Sequence, residues 1–210
     1  MIDVLVADDH AVVRKGLIQI ISDTTDINVA GEACNVQDVL DKIEKKTFDV
    51  ILLDIHLPGK SGLDVLKQLK KDMPFLSTLI LTIYPEEQYA IRALKLGASG
   101  YLTKDSAPDE LVNAIRKVAS GGKYISASLA EKLASFIEYN KEQSPHETLS
   151  NREYQIMLLI AIGKTVKEIS QELSISAKTV STYRTRILVK MNMTKDAEII
   201  HYAINNKLIE

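Results

Sequence analysis

Over the first 124 residues the apolar positions fall in short near-continuous runs, at 4–7, 27–32, 50–54, 78–82 and 100–102. Between the runs, apolar residues recur at helical spacing over about 11–22, 36–46, 62–71, 86–96 and 107–120. Strands this nearly continuous in apolar residues call for burial on both faces, and each is followed by a helix. The pattern therefore predicts an α/β domain with a parallel sheet covered on both sides. Right-handed crossovers make it doubly wound, and five strands favour the flavodoxin-like order 2-1-3-4-5.

After Gly121-Gly122 the alternation stops. One helix is expected over 128–139, and the polar stretch NKEQSPHET, with Pro145, reads as a linker. From Leu149 onward every pattern is helical. Ser150 with Glu153 forms a capping box opening a helix that runs to Ile162 and ends at Gly163. Thr165 with Glu168 is a second box, opening 166–173; Ser176 caps 177–191, and a last helix covers about 195–206. The predicted organisation is 1–122, a linker over 123–148, and a small all-α four-helix domain over 149–210.

With 46% hydrophobic and 26% charged residues, the 210-residue chain is neither disordered, collagen-like nor a coiled coil as a whole. Its one cysteine, Cys34, excludes an internal disulfide and a Cys-based zinc site, and fits a reducing compartment. No apolar run reaches the ~18 residues of a membrane span, and the chain opens into a strand rather than a signal peptide, so a cytoplasmic location is expected. The net charge of -2 by itself suggests no nucleic-acid partner. Counted by segment it splits. Residues 1–124 hold 15 Lys/Arg against 18 Asp/Glu, and residues 149–210 hold 9 against 6. From Leu173 to Lys195 there are five basic residues and no acidic one. Such asymmetry points to two modules with different partners, the alternative being a solvated helix face.

In an open parallel sheet, ligands bind at the carboxyl ends of the strands. Strand 1 ends in Asp8-Asp9, strand 3 in Asp54 and strand 4 in Thr82, with Lys104 just past strand 5. A strand-end Asp taken alone is commonly only a helix cap, and Lys104 alone a surface lysine. Together on four neighbouring strands they converge. Three carboxylates this close need a cation or a raised pKa, and an all-oxygen donor set suits Mg²⁺. With a hydroxyl and a lysine added, the chemistry suggested is phosphoryl transfer to an aspartate. Asp54 is the best nucleophile candidate, since it ends the central strand and a loop, HLPGKSG, follows.

The strings VLVADDH, VILLDIHLPGKSG, LILT and GYLTK resemble, in order and spacing, the receiver domain of two-component response regulators. The resemblance implies that Asp54 accepts a phosphoryl group from a sensor histidine kinase. It implies Mg²⁺ held by Asp9, Asp54 and the backbone carbonyl of His56, with Asp8 acting through water. Thr82 and Lys104 would each bond a phosphoryl oxygen, and Tyr101 would be the switch aromatic that turns inward when Thr82 moves toward the phosphate. Pro58 and Gly62 match the family's loop positions. Asp105 stands where many receivers have proline, so no cis peptide is required there. The His56 side chain should point away from the metal, where it could still control the water that attacks the phosphoryl group.

TVKEISQELSI and SAKTVSTYRTRILVKM have helix-turn-helix form. Helical phase sends Val180, Ile187, Leu188 and Met191 inward and leaves Lys178, Ser181, Thr182, Thr185 and Val189 opposite. Small hydroxylated residues framed by Lys178, Arg186 and Lys190 make a surface that can approach base edges while cations meet phosphates; Thr179 belongs to the same set. The segment resembles the LuxR-type helix-turn-helix of the NarL/FixJ subfamily, and is more similar to the GacA/UvrY group within it. The family's base-reading positions fall on Ser181, Thr182 and Thr185. Tyr183 stands where many relatives have His, so hydroxyl contacts and DNA shape should carry more of the specificity. In relatives the last helix pairs with its symmetry mate on DNA, which would fall to Ile199, Ile200, Ala203 and Ile204, although core packing explains most of these equally well.

These readings imply a phosphorylation-controlled transcription regulator that binds promoter DNA as a homodimer. RNA polymerase is a further candidate partner, and no membrane is involved. It would not be an enzyme beyond Mg²⁺-dependent self-phosphorylation and slow autodephosphorylation. One alternative is an aspartate-nucleophile phosphatase, but those carry a second Asp two residues after the nucleophile, where His56 stands here. Another is a regulator that does not use phosphorylation.

Overall fold

The computed structural model describes residues 1–58, 60–127, 129–131, 133 and 144–209. The chain divides into two compact units, Met1–Leu133 and Ala134–Glu210. In the first, strands β1 (Ile2–Ala7), β2 (Ile27–Ala33), β3 (Val50–Leu53), β4 (Ser77–Thr82) and β5 (Gly100–Thr103) form one parallel sheet. Its order is β2-β1-β3-β4-β5, the one the apolar pattern predicts. Val6 lies opposite Leu52, Leu52 opposite Leu79, and Leu79 opposite Gly100, so neighbouring strands end at a common edge.

Helices α1 (Ala11–Ser22), α2 (Val36–Lys45), α3 (Gly62–Asp72), α4 (Glu86–Lys95) and α5 (Pro108–Ala119) alternate with the strands. Leu17 and Ile21 of α1 and Leu111, Ile115 and Val118 of α5 join Val4, Val6, Leu52, Leu79 and Leu81 in one core. The alternate strand residues Leu5, Ile51, Leu53 and Ile80 are equally buried and point to the other face, which leaves α2, α3 and α4 to cover it. Asp54, expected as the last residue of the third strand, lies just outside it. Its N–H still donates to the Ala7 carbonyl at 3.0 Å, so the backbone keeps the line of the sheet. Much of the helix expected over 128–139 lies outside the described residues, and those described nearby, 127, 129–131 and 133, are helical, the Ser126 carbonyl accepting the Ala130 N–H.

Among the described residues the second unit has a 3-10 turn, Pro145–Thr148, followed by α6 (Asn151–Ala161), α7 (Val166–Glu172), α8 (Ala177–Lys190) and α9 (Asp196–Asn205). Both expected capping boxes form, at Ser150/Glu153 and Thr165/Glu168, and the Ser176 hydroxyl accepts the Thr179 N–H. Gly163 ends α6 at φ +83, a conformation that glycine reaches without steric cost. Helix α6 is buried from Glu153 to Ala161 and packs on α8 and α9, while α7 packs on α8. No helix among the described residues is long and apolar enough to cross a membrane.

Candidate functional site

The carboxyl edge of the sheet collects the polar residues that the apolar strands exclude. Asp8 and Asp54 are each 2% exposed, and Thr82 is fully buried. The Lys104 ammonium lies 2.5 Å from Asp54 Oδ2 and 2.7 Å from Asp8 Oδ2. The second oxygens are held by main chain: the His10 N–H donates to Asp8 Oδ1 at 2.8 Å and the His56 N–H to Asp54 Oδ1 at 3.2 Å. Burial pushes the Asp54 carboxyl above the usual carboxylate range, although Lys104 and His56 pull the other way. Burial also opposes the Lys104 charge, but its two carboxylate partners outweigh that and raise its pKa. One cation thus serves two buried carboxylates, with Asp9 beside them, and the site stays electron-rich.

Ligand atoms of Asp8, Asp9, His10 and Asp54 all lie within 4.8 Å of one another. Their carboxylate oxygens fit a hard divalent cation such as Mg²⁺. Asp9 Oδ1 sits 2.7 Å from His10 Nδ1 without the alignment of a hydrogen bond. Thr82 Oγ1 is buried with no hydrogen-bond partner among the described residues, which is costly unless the hydroxyl serves a ligand. The loop after Asp54 folds back on itself: His56 pairs with Ser61, and the Gly62 N–H donates to the Ile55 carbonyl at 2.8 Å. Pro58 is exposed on this loop, and the His56 side chain is half-buried. Tyr101 lies inward, fully buried, with its hydroxyl donating to the Tyr84 carbonyl at 2.8 Å.

In the second unit, Val180, Ile187 and Met191 are buried and Leu188 half-buried, so α8 presents the opposite face to solvent. Lys178, Ser181, Thr182, Thr185 and Arg186 are exposed there, and Val189 is 74% exposed. Ser181, Thr182 and Thr185 each donate a hydroxyl to the carbonyl four residues earlier, at 3.0, 3.0 and 3.1 Å, leaving their oxygen lone pairs outward-facing acceptors. Thr179 is half-buried, its hydroxyl 2.8 Å from Ser176 Oγ at the helix cap.

Residues 4–116 match the response regulator receiver domain, and residues 147–203 match the bacterial regulatory proteins of the luxR family. The chain belongs to the response regulators, with a LuxR-type DNA-binding domain. This regulator is 41% identical over 209 residues to the response regulator UvrY of Escherichia coli (strain K12), covering 99% of this chain and 96% of that protein. It is 37% identical to the response regulator GacA of Pseudomonas aeruginosa over 211 residues, covering 100% and 99%. Among solved structures it is similar to RcsB from Salmonella enterica serovar Typhimurium bound to promoter P1flhDC in the presence of phosphomimetic BeF3-. That likeness has a TM-score of 0.61 at 26% identity over 96% of this chain and 97% of that one.

The regulator's fold adds residues that sequence reasoning did not single out. His10 joins the acidic cluster, and its position directly after Asp8-Asp9 was the available signal. The Arg14 guanidinium donates to the Asp8 carbonyl at 2.8 Å and to Glu32 at 3.0 Å, tying α1 to the ends of β1 and β2. Lys190, read as a DNA-facing cation, is exposed but directs its ammonium to Glu153 Oε2 at 2.6 Å. Arg184 is similarly engaged, with Nε 2.8 and 2.9 Å from the Asp196 carboxylate oxygens. In α9, Ile199 and Ala203 belong to the core, Ile200 is half-buried, and Ile204 is 52% exposed.

Glu153 does two jobs: it closes the α6 capping box on the Ser150 N–H at 2.8 Å and pairs with Lys190 of α8. Burial pushes its carboxyl up, but the Lys190 and Ser150 hydrogen bonds outweigh burial and leave it below the usual glutamate range. A depressed folded pKa stabilises above the unfolded value and is lost as pH falls through the folded one. Glu153→Ala is expected to lower the unfolding free energy of the second unit by about 2 kcal/mol at neutral pH. The deficit should shrink on acidification below the ordinary glutamate pKa. Urea unfolding of both forms, followed by circular dichroism at several pH values, measures it.

Proposed function

We propose that Asp54 takes a phosphoryl group from a sensor histidine kinase and that the modified regulator binds promoter DNA as a homodimer in the cytoplasm, changing transcription. The observation that carries this reading is the buried Asp54–Lys104 pair together with a Thr82 hydroxyl that has no hydrogen-bond partner among the described residues. Asp54 Oδ2 attacks phosphorus, the new O–P bond forming as the donor's P–N bond breaks and its electron pair returns to the histidine nitrogen. Lys104 passes from the carboxylate to a phosphoryl oxygen, and Thr82 Oγ1 donates to another. Mg²⁺, held by Asp8, Asp9, Asp54 and the His56 carbonyl, would supply positive charge to the oxygens on which negative charge builds. A small phosphoryl donor with Mg²⁺ would serve for self-phosphorylation, and the chain's remaining chemistry is slow release of phosphate.

On DNA, Ser181, Thr182 and Thr185 face base edges while Lys178 and Arg186 meet phosphates. Lys190 contributes through α8 placement, and Ile204 offers an apolar contact to a second copy. RNA polymerase is a further partner for the DNA-bound form. The test is selection from a random DNA pool with and without acetyl phosphate and Mg²⁺. Two-fold symmetric sites should be enriched only with the phosphoryl donor. The double change Thr182→Ala, Thr185→Ala should cut preference for the selected site about 10-fold or more while leaving binding to random DNA within about twofold. Equal loss on both would remove these residues from base reading.

A further inference from the structure

Only Ile83, Tyr84 and Pro85 separate Thr82, at the end of β4, from Glu86, the first residue of α4. The Tyr101 hydroxyl holds this loop by its main chain, 2.8 Å from the Tyr84 carbonyl and 3.4 Å from that of Pro85. Glu86 itself accepts a hydrogen bond at 2.8 Å from Ser126 Oγ, a residue beyond α5. The same Ser126 oxygen accepts the Leu129 N–H at 3.0 Å, and Leu129 is fully buried. Ser126 therefore caps the turn by which the chain leaves the sheet.

The residues just before Ser126 are anchored elsewhere. The Tyr124 N–H donates to the Ser99 carbonyl at 2.9 Å and its hydroxyl to Glu110 at 2.9 Å, while Lys123 Nζ reaches the Ala98 carbonyl at 2.6 Å. Tyr124 also runs so close to β5 that a Cβ on Gly100 would meet the Tyr124 carbonyl at 2.7 Å. Lys123 and Tyr124 are thus fixed to the residues leading into β5, and Tyr124 also to α5. Ser126 instead hydrogen-bonds the first residue of the helix that begins where the switch loop ends.

We propose that the Glu86–Ser126 hydrogen bond is an outlet through which phosphorylation reaches the linker. Movement of Thr82 toward a phosphoryl group on Asp54 draws residues 83–85 with it and lifts Glu86 off Ser126. The serine proton, held by a carboxylate in a charge-assisted bond, is released, and the hydroxyl that caps Leu129 loses its fixed orientation. The turn that leads into the second unit then loosens. This inference rests on Asp54 being the phosphoryl acceptor.

The test uses the full chain with Mg²⁺ and beryllium fluoride as the phosphoryl stand-in. Uptake is followed by the fluorine resonance of the bound complex, and the linker by amide hydrogen exchange at Leu129 and Ala130. In the unsubstituted chain, uptake should speed exchange at these two amides about fivefold. Glu86→Ala keeps the Ser126 cap but cuts its tie to α4. It should bind the fluoride complex equally well, exchange fast from the start, and show a ratio near one. Ser126→Thr, which retains the hydroxyl, should keep the response. A full response in Glu86→Ala overturns the proposal, as does bound fluoride with no change at Leu129 and Ala130. If the unsubstituted chain binds no fluoride complex, the Asp54 reading falls and takes the relay with it.

Discussion

Asp54→Ala is expected to abolish phosphoryl uptake completely while leaving the first unit folded. Incubated with acetyl phosphate and Mg²⁺, the unsubstituted chain should gain the mass of one phosphoryl group, and the variant none. Stability distinguishes loss of the acceptor from loss of the fold. Asp54 is 2% exposed, and burial makes its ionised form unfavourable. Removing it leaves one buried carboxylate, Asp8, for one buried ammonium, Lys104, at 2.7 Å. Without divalent cation the variant should therefore melt at the same temperature as the unsubstituted chain or higher. A lowered melting temperature would show that Asp54 contributes more through Lys104 than its desolvation costs.

Gly62→Ala should have the largest effect on the fold itself. A Cβ there would stand 2.0 Å from the Asp54 carbonyl oxygen and 2.9 Å from both the Asp54 carbonyl carbon and Ile55 Cα. All three are backbone atoms, so no side-chain rotation relieves the clash, and the start of α3 must move away from β3. The Gly62 N–H bond to Ile55 would then be lost, along with the loop that places the His56 carbonyl. A destabilisation of about 3 kcal/mol or more follows, at the upper end of what single substitutions produce. Phosphoryl uptake should fall with it, because the backbone that aims Asp54 is displaced. Melting curves and intact mass measure the two effects on one sample. An alanine variant with unchanged melting and uptake would mean that α3 can withdraw without cost.

Much of the architecture was readable because β3 is wholly apolar and its neighbours carry apolar runs at Val4–Ala7 and Leu79–Leu81, a pattern that calls for a sheet covered on both faces. The strand ends were readable for the same reason, since a carboxylate ending a buried strand stands out. Contacts set by packing were not. Glu153 and Lys190 are 37 residues apart in sequence, and only the crossing of α6 and α8 brings them within 2.6 Å. By charge alone Lys190 looked like any other cation of α8. Arg14 bonds a main-chain carbonyl, a partner with no residue signature. Gly62 read as a loop glycine, whereas its contact with the Asp54 backbone depends on how tightly the loop between them closes. The isolation of the Thr82 hydroxyl can be recognised only when every neighbour is in place.

The internal pairing of the α8 cations has a kinetic consequence. Arg184 faces Asp196 and Lys190 faces Glu153, so Lys178 and Arg186 are the helix's cations without a carboxylate partner among the described residues. Few counterions are then displaced when one domain meets a duplex, and attraction to arbitrary sequence is weak. Encounters with wrong sites end quickly. On the function proposed above, a regulator built this way gives up grip on the genome at large and moves freely among sites until a symmetric pair of half-sites holds two copies at once.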